Sequence, residues 1–197
     1  DHMAALEHCK KYFAGTKATR LTFRQLRPGE IFTISGSSDS DWRGCPDTLR
    51  STGGHLVLLN LQIIDWASKL MLESVKMSST EAEFIELGKC MRSCLFYFNL
   101  GRDYISLYTK RIKFAPPPIE VEEDNKGAKD VTESGVNSKK LRHLRHHEFY
   151  ARAQKEDGML VVKKVDTLKN GSDVLNKPAK SRMALVRALG KYNLIIQ

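Results

Sequence analysis

Four acidic residues fall where the chain changes character: Asp39, Glu83, Asp124 and Asp173. They sit in four separate stretches, SSDSDWRGCPDTLRSTGG, MSSTEAEFIELG, EEDNKGA and DVLNKP, each where a predicted strand ends or a predicted helix begins. Carboxylates brought together from distant segments are what a two-metal phosphodiester site requires, because Mg²⁺ is held by hard oxygen ligands. Taken singly, each acid also has a plainer role. The Ser and Asp of SDSDW suit a solvated turn. Asp124 closes the acidic run Glu120, Glu122, Glu123 and is placed to cap the next helix, and Asp173 suits a helix start, where the macrodipole favours an acid.

Spacing separates some of the rivals. Ser78-Ser79-Thr80-Glu81 has capping-box spacing, which gives Glu81 a structural task at the Ser78 N–H. Glu83 points about 160° away from Glu81 on a helix and is free to face a site; Glu83 is the preferred ligand and Glu81 the reserve. Asp39 and Asp41 lie two apart and share a strand face, so spacing leaves both open. Lys139, Lys140, Arg142, Arg145, Arg152 and Lys155 make a basic helix, joined by His143, His146 and His147. Such a run is a solvated face or, against nucleic acid, a set of phosphate contacts that position without reading sequence. Adjacent histidines point about 100° apart on a helix, which disfavours a zinc site. Cys90 and Cys94 lie one helical turn apart, and Trp42 and Trp66 follow strands; all four read as core packing.

The elements that must carry these residues follow from periodicity and punctuation. A short amphipathic helix, Ala4 to Phe13, leads with Leu6, Cys9 and Phe13 on one side, and is expected to dock on the main domain. Asp1, His2 and Met3 read as a cloning remnant. An extended piece, Arg20 to Phe23, and a boundary at Pro28-Gly29 come next. Ile31 to Gly36 is a β-branched run that delivers Asp39. His55 to Leu59 and Gln62 to Ala67, with only Asn60 and Leu61 between them, form an antiparallel hairpin. A helix spans Ser79 to Leu100 with Phe84, Leu87, Gly88, Met91 and Leu95 as its buried stripe. A linker, Gly101 to Pro118, contains a short strand at Ile105 to Tyr108.

Ile119 to Glu123 alternates as a half-exposed strand and delivers Asp124. Helices at Asn125 to Ser134 and Ser138 to Lys155, a strand at Leu160 to Val165, and a last helix at Ala179 to Leu189 complete the order β-β-β-α-β-α-α-β-α. This predicts an α/β fold: a five-stranded mixed sheet, three antiparallel strands then parallel ones, flanked by helices. Residues 1–28 are the leader and 29–197 the main domain.

With 197 residues the chain is large enough to bury a core, and its net charge of +9 and pI near 9.4 suit a partner rich in phosphate. Cys9, Cys45, Cys90 and Cys94 contain no CxxC pair, which points to a reducing, cytoplasmic compartment and no disulfide framework. No apolar run approaches the ~20 residues of a membrane span, and no signal peptide is evident.

The segments GSSDSDWRGCPDTLRSTGGHLVLLN, IIDWASK and MSSTEAEFIELGKC closely resemble the ribonuclease H domain of copia-type LTR retrotransposon polyproteins, with EDNKGA and DVLNKP at that family's third and fourth acidic motifs. The resemblance runs from ALEHCKKYFAGTK, similar to the connection after the reverse transcriptase, to LVRALGKYNL. It implies a ribonuclease H-like sheet. It implies that Asp39, Glu83, Asp124 and Asp173 hold two Mg²⁺, with Mn²⁺ as a substitute, and that the RNA strand of RNA–DNA hybrids is cut during reverse transcription. The implied partners are the hybrid and the reverse transcriptase of the same polyprotein, in the cytoplasm or a virus-like particle. Lys69, Lys126, Lys139, Lys140, Arg142 and Arg145 are candidate phosphate contacts.

The chain departs from the family in three places: the long linker, Arg145 where an acid is usual, and no histidine in Thr167 to Ser172. Two rival readings stand beside this one. A catalytically silent nucleic-acid-binding or polymerase-supporting module is disfavoured by the full set of acids. An integrase-like nuclease is disfavoured by Glu83.

Overall fold

The computed structural model describes residues 2–27, 29–72, 78–108, 113–134, 145–177, 185–186 and 189–195. In chain order the elements are α1 (His2–Gly15), β1 (Arg20–Leu21), β2 (Ile31–Phe32), β3 (Ile34–Asp41), β4 (Thr52–Leu59) and β5 (Gln62–Leu70). There follow α2 (Ser79–Tyr108), β6 (Lys113–Phe114), β7 (Ile119–Glu123), α3 (Lys126–Ser134), α4 (Arg145–Glu156), β8 (Leu160–Lys164), α5 (Asp173–Asn176) and β9 (Leu194–Ile195).

The main sheet has the order β5-β4-β3-β7-β8. Its first three strands pair antiparallel, and β7 and β8 join in parallel. This is the five-stranded mixed sheet expected from the order of elements. Asn60 and Leu61, both with positive φ (49° and 62°), form the two-residue turn of the β4–β5 hairpin, the geometry that matches strand twist. Two small ladders flank the sheet, β1 with β9 antiparallel and β2 with β6 parallel.

Alternation on the strands builds a core on each face. Ile34, Val57, Ile119, Val121, Leu160 and Val162 meet Leu87, Cys90, Met91, Cys94, Leu95 and Phe98 of α2 on one side. Leu56, Leu58 and Ile63 meet Leu185, Leu189 and Tyr192 on the other. The expected α2 stripe is buried, and so is Ile85, which with Phe84 packs against Ala128 and Val131 of α3. Among the described residues, no helix is long and apolar enough to cross a membrane.

Several expectations are corrected. Helix α2 runs on to Tyr108, so Ile105 to Tyr108 is helical and not a strand. Gly101 does not stop the helix because the Phe114 ring packs on its bare Cα, where a Cβ would collide. The predicted first strand is two pieces, since Thr33 turns its N–H to Asn60 Oδ1 (2.7 Å). Helix α1 begins at His2, taking in part of the presumed remnant, and buries no residue, so it does not dock as expected. Trp42 and Trp66 are 41% and 55% exposed and are not core anchors. Of the long basic helix, α4 supplies residues from Arg145 on; Lys139, Lys140, Arg142 and His143 lie outside the described residues, as does most of the predicted last helix.

Candidate metal centre

The site grows from the parallel register of β3 and β7. Ser37 pairs with Glu122, so two residues further on the neighbouring strand ends present Asp39 and Asp124 together. Ligands of open α/β sheets gather at such carboxyl ends. Glu83 enters from the start of α2. Carboxylate oxygens of Asp39, Glu83 and Asp124 lie within 4.8 Å of one another.

The local sequence frees each of these acids from its plainer role. Asn125, not Asp124, caps α3, its Oδ1 accepting from the Ala128 N–H (3.1 Å). Ser78 Oγ accepts from the Glu81 N–H (3.2 Å), which is half of the expected capping box, and Glu81 is buried outside the acid cluster. Asp41 folds over Gly44, where its carboxylate fills the space a Cβ would take, so the turn claims it and leaves Asp39 for the site.

Asp173 reaches the cluster by a different route. It opens α5, four residues whose position is fixed by a buried polar network. Ser37 Oγ donates to Asn170 Oδ1 (2.6 Å), Asn170 Nδ2 donates to the Ser38 carbonyl (2.8 Å), and Ser172 Oγ donates to Asn170 Oδ1 (2.8 Å). Gly54, opposite Asp39 in the ladder, lets α5 lie flat on β4, since a Cβ there would meet Leu175 Cβ at 2.6 Å. Asn176 Nδ2 then donates to Asp39 Oδ2 (2.7 Å). Lys177 Nζ spans the last gap, donating to Asp39 Oδ2 (2.9 Å) and Asp173 Oδ1 (2.6 Å). Asp173 is thus joined to Asp39 through an ammonium and stands outside the three-carboxylate group.

A fifth acid backs the cluster. Glu123 is fully buried, accepting from Ser38 Oγ (2.9 Å) and from the Asn125 N–H (2.9 Å). Crowding and burial set the protonation. Burial pushes Glu83 far above the ordinary carboxylate range, and Glu123, Asp39 and Asp124 push it further. Burial raises Glu123 as well, against the hydrogen bonds from Asn125 and Ser38. Asp39 is pushed up to about 6 by burial, with Lys177 and Asn176 holding it from going higher. Burial works to lower the Lys177 ammonium, but hydrogen bonds and charges of Asp173 and Asp39 outweigh it and hold it above its usual range.

These residues fit a hard divalent cation. Three carboxylates converge, and Glu83 Oε2 is buried without a hydrogen-bond partner among the described residues. A buried, unpaired carboxylate oxygen is costly unless a cation or a proton satisfies it.

The sequence alone does not assign Glu123, Lys177, Asn170 or Ser172 to the site. Two of them carried a signal. Glu123 continues the buried parity of Ile119 and Val121, and Lys177 lies four residues after Asp173, within reach on a helical turn. The expected phosphate contacts are scattered. Lys69 is exposed on β5 opposite Gly53, and Lys126 is exposed at the start of α3, two residues past Asp124. Arg145, His146 and His147 belong to α4, with side chains outside the described residues.

No protein-family model matches the chain. It is 30% identical over 195 residues, 99% of its length, to the retrovirus-related Pol polyprotein from transposon RE2 of Arabidopsis thaliana, and 30% identical over 178 residues to that from transposon RE1 of the same plant. It spans only 13% and 11% of the lengths of these relatives. Among solved structures, ribonuclease H1 from the halophilic archaeon Halobacterium salinarum superposes with a TM-score of 0.48 at 13% identity, covering 73% of this chain and 93% of that one.

Proposed function

We infer that this chain, related along nearly all of its length to a segment of transposon-encoded Pol polyproteins, is a ribonuclease H-type nuclease module that hydrolyses the RNA strand of RNA–DNA hybrids. The observation that carries the reading is the meeting of Asp39, Glu83 and Asp124 at the strand ends, with a buried Glu83 oxygen in want of a partner. Asp39, Glu83 and Asp124 would hold one divalent cation, and Asp39 with Asp173 a second. Bound there, Mg²⁺ or Mn²⁺ would lower the pKa of an attacking water and offset charge on the leaving 3′ oxygen, the chemistry of in-line two-metal hydrolysis.

The chain's own groups supply position and charge. The Asn170, Ser37 and Ser172 network fixes α5, and so the Asp173 carboxylate, against β3. Glu123, held by Ser38 and Asn125, braces the ends of β3 and β7 from within. Net positive charge favours a phosphate-rich duplex, with Lys126 and Lys69 as exposed contacts. Choice of RNA over DNA requires recognition of 2′-hydroxyls across a wide, shallow minor groove. In the polyprotein, the hybrid would come from the polymerase segment.

The test is cleavage of a labelled hybrid in Mg²⁺ by wild type and Asp124→Asn. Asn125 does the capping, so the variant keeps its fold; its circular dichroism should match wild type while cutting is lost. Full activity in the variant would overturn the site. Hybrid binding by wild type without cutting in Mg²⁺ or Mn²⁺ would replace the reading with a silent binding module.

A further inference from the structure

Lys177 stands where the site would take a second cation. Its ammonium touches Asp39 Oδ2 at 2.9 Å and Asp173 Oδ1 at 2.6 Å, the two carboxylates that the two-metal reading assigns to one ion. Lys177 is thus paired with both carboxylates at once. Asp39 is 1% exposed, so its charge must be met from inside. Lys177 differs from it in being 37% exposed, on a flexible four-carbon stem at the end of a four-residue helix. The side chain has both a buried partner and a way out.

We propose that Lys177 is a built-in counter-cation that occupies the Asp39–Asp173 position in the metal-free protein and must withdraw before a divalent ion can bind there. The inference rests on the cation-site reading of the acid cluster. Physically it is an exchange: one ammonium leaves two carboxylates and one dication takes its place. An ammonium is a compact point charge that forms no fixed coordination, so it neutralises the pair without locking it. While it sits there, it screens the Asp39–Asp173 repulsion and competes with the ion, so the second position fills less readily than the first. Lys177 is on this account a positioning residue that sets the order of filling: the Asp39–Glu83–Asp124 set first, the Asp39–Asp173 pair second.

The experiment is a Mn²⁺ titration of the protein without nucleic acid, followed by calorimetry and by the electron paramagnetic resonance signal of free Mn²⁺. It compares wild type, Lys177→Gln and Lys177→Arg, with the fold of each checked by circular dichroism. Wild type should bind one ion readily and a second weakly. Lys177→Gln should bind the second about tenfold more tightly, a change of about 1.4 kcal/mol. Lys177→Arg, which keeps the charge, should restore weak second binding. A lysine that only packs the end of α5 would leave the second affinity unchanged or weaken it in the Gln variant, and either result overturns the proposal. If wild type and the Gln variant bind no Mn²⁺ at all, the cation-site reading falls and the proposal falls with it; if the first ion binds and only the tightening is missing, the proposal falls alone.

Discussion

Replacing Glu83 with Gln should stabilise the metal-free protein at neutral pH. The carboxyl is 6% exposed, lacks a hydrogen-bond partner at Oε2 among the described residues, and is crowded by Glu123, Asp39 and Asp124. Its pKa lies well above its unfolded value of 4.5, so at pH 7.5 the folded protein keeps it neutral while the unfolded chain ionises it. Each pH unit in that interval costs the fold about 1.4 kcal/mol, so three units set a ceiling of about 4 kcal/mol. Glutamine has nearly the same shape and is neutral in both states, so it escapes this cost. Allowing for relaxation and water entry, the gain should be about 2 kcal/mol at pH 7.5. The sign fixes the pH dependence: at pH 4.5 and below, wild type is neutral there too and the gain should shrink toward zero. The assay is urea unfolding in EDTA at both pH values; at a slope of about 2 kcal/mol/M the midpoint should rise by about 1 M at pH 7.5. A midpoint that falls at pH 7.5, or rises equally at both pH values, would refute the reasoning.

The melting temperature of the metal-free wild type should fall as pH rises from about 4 toward 8. Asp39, Glu83 and Glu123 all have raised pKa values in the fold, so their contribution is full below the unfolded values and is lost on ionisation, Asp39 first as pH passes about 6. Millimolar Mg²⁺ should recover stability at pH 8 and do little at pH 4.5, as differential scanning fluorimetry will show; a melting temperature that climbs steadily with pH in EDTA would contradict it. Gly36→Ala should cost about 1–3 kcal/mol, because its Cβ would lie 2.6 Å from Cys94 Sγ and 2.7 Å from Cys90 Sγ, both fully buried. Adding Cys94→Ala should return part of that loss in thermal melts, and an undiminished loss would mean that the clash is elsewhere.

The sheet was legible because its signals are local. Alternation in Ile119–Glu123, the two-residue link at Asn60-Leu61 and the stripe of α2 each specify an element without knowledge of its neighbours. The end of α2 was not, because Gly101 and the prolines that follow read as a break. In the fold the helix continues through Gly101, against which the β2–β6 ladder brings the Phe114 ring. The tryptophans misled in the same way: propensity places them inside, yet both Trp42 and Trp66 are exposed. Within the site, Asp39, Glu83 and Asp124 could be anticipated because each ends or begins an element. What made them available could not. Asn125 takes the capping role, Gly44 receives Asp41, and Lys177 stands between Asp39 and Asp173. The first two are choices between near neighbours in sequence, and the third joins distant segments; all are settled by which side chain has a partner in space.

The central claim is that this quartet cuts RNA paired to DNA, and a strand-resolved cleavage assay meets it most directly. A hybrid labelled on both strands is incubated with the purified chain in Mg²⁺, in Mn²⁺ and in EDTA. The RNA strand should be cut internally with either metal and remain whole in EDTA, with the DNA strand intact throughout. Cutting of the DNA strand, or RNA cutting that persists in EDTA, would contradict the account.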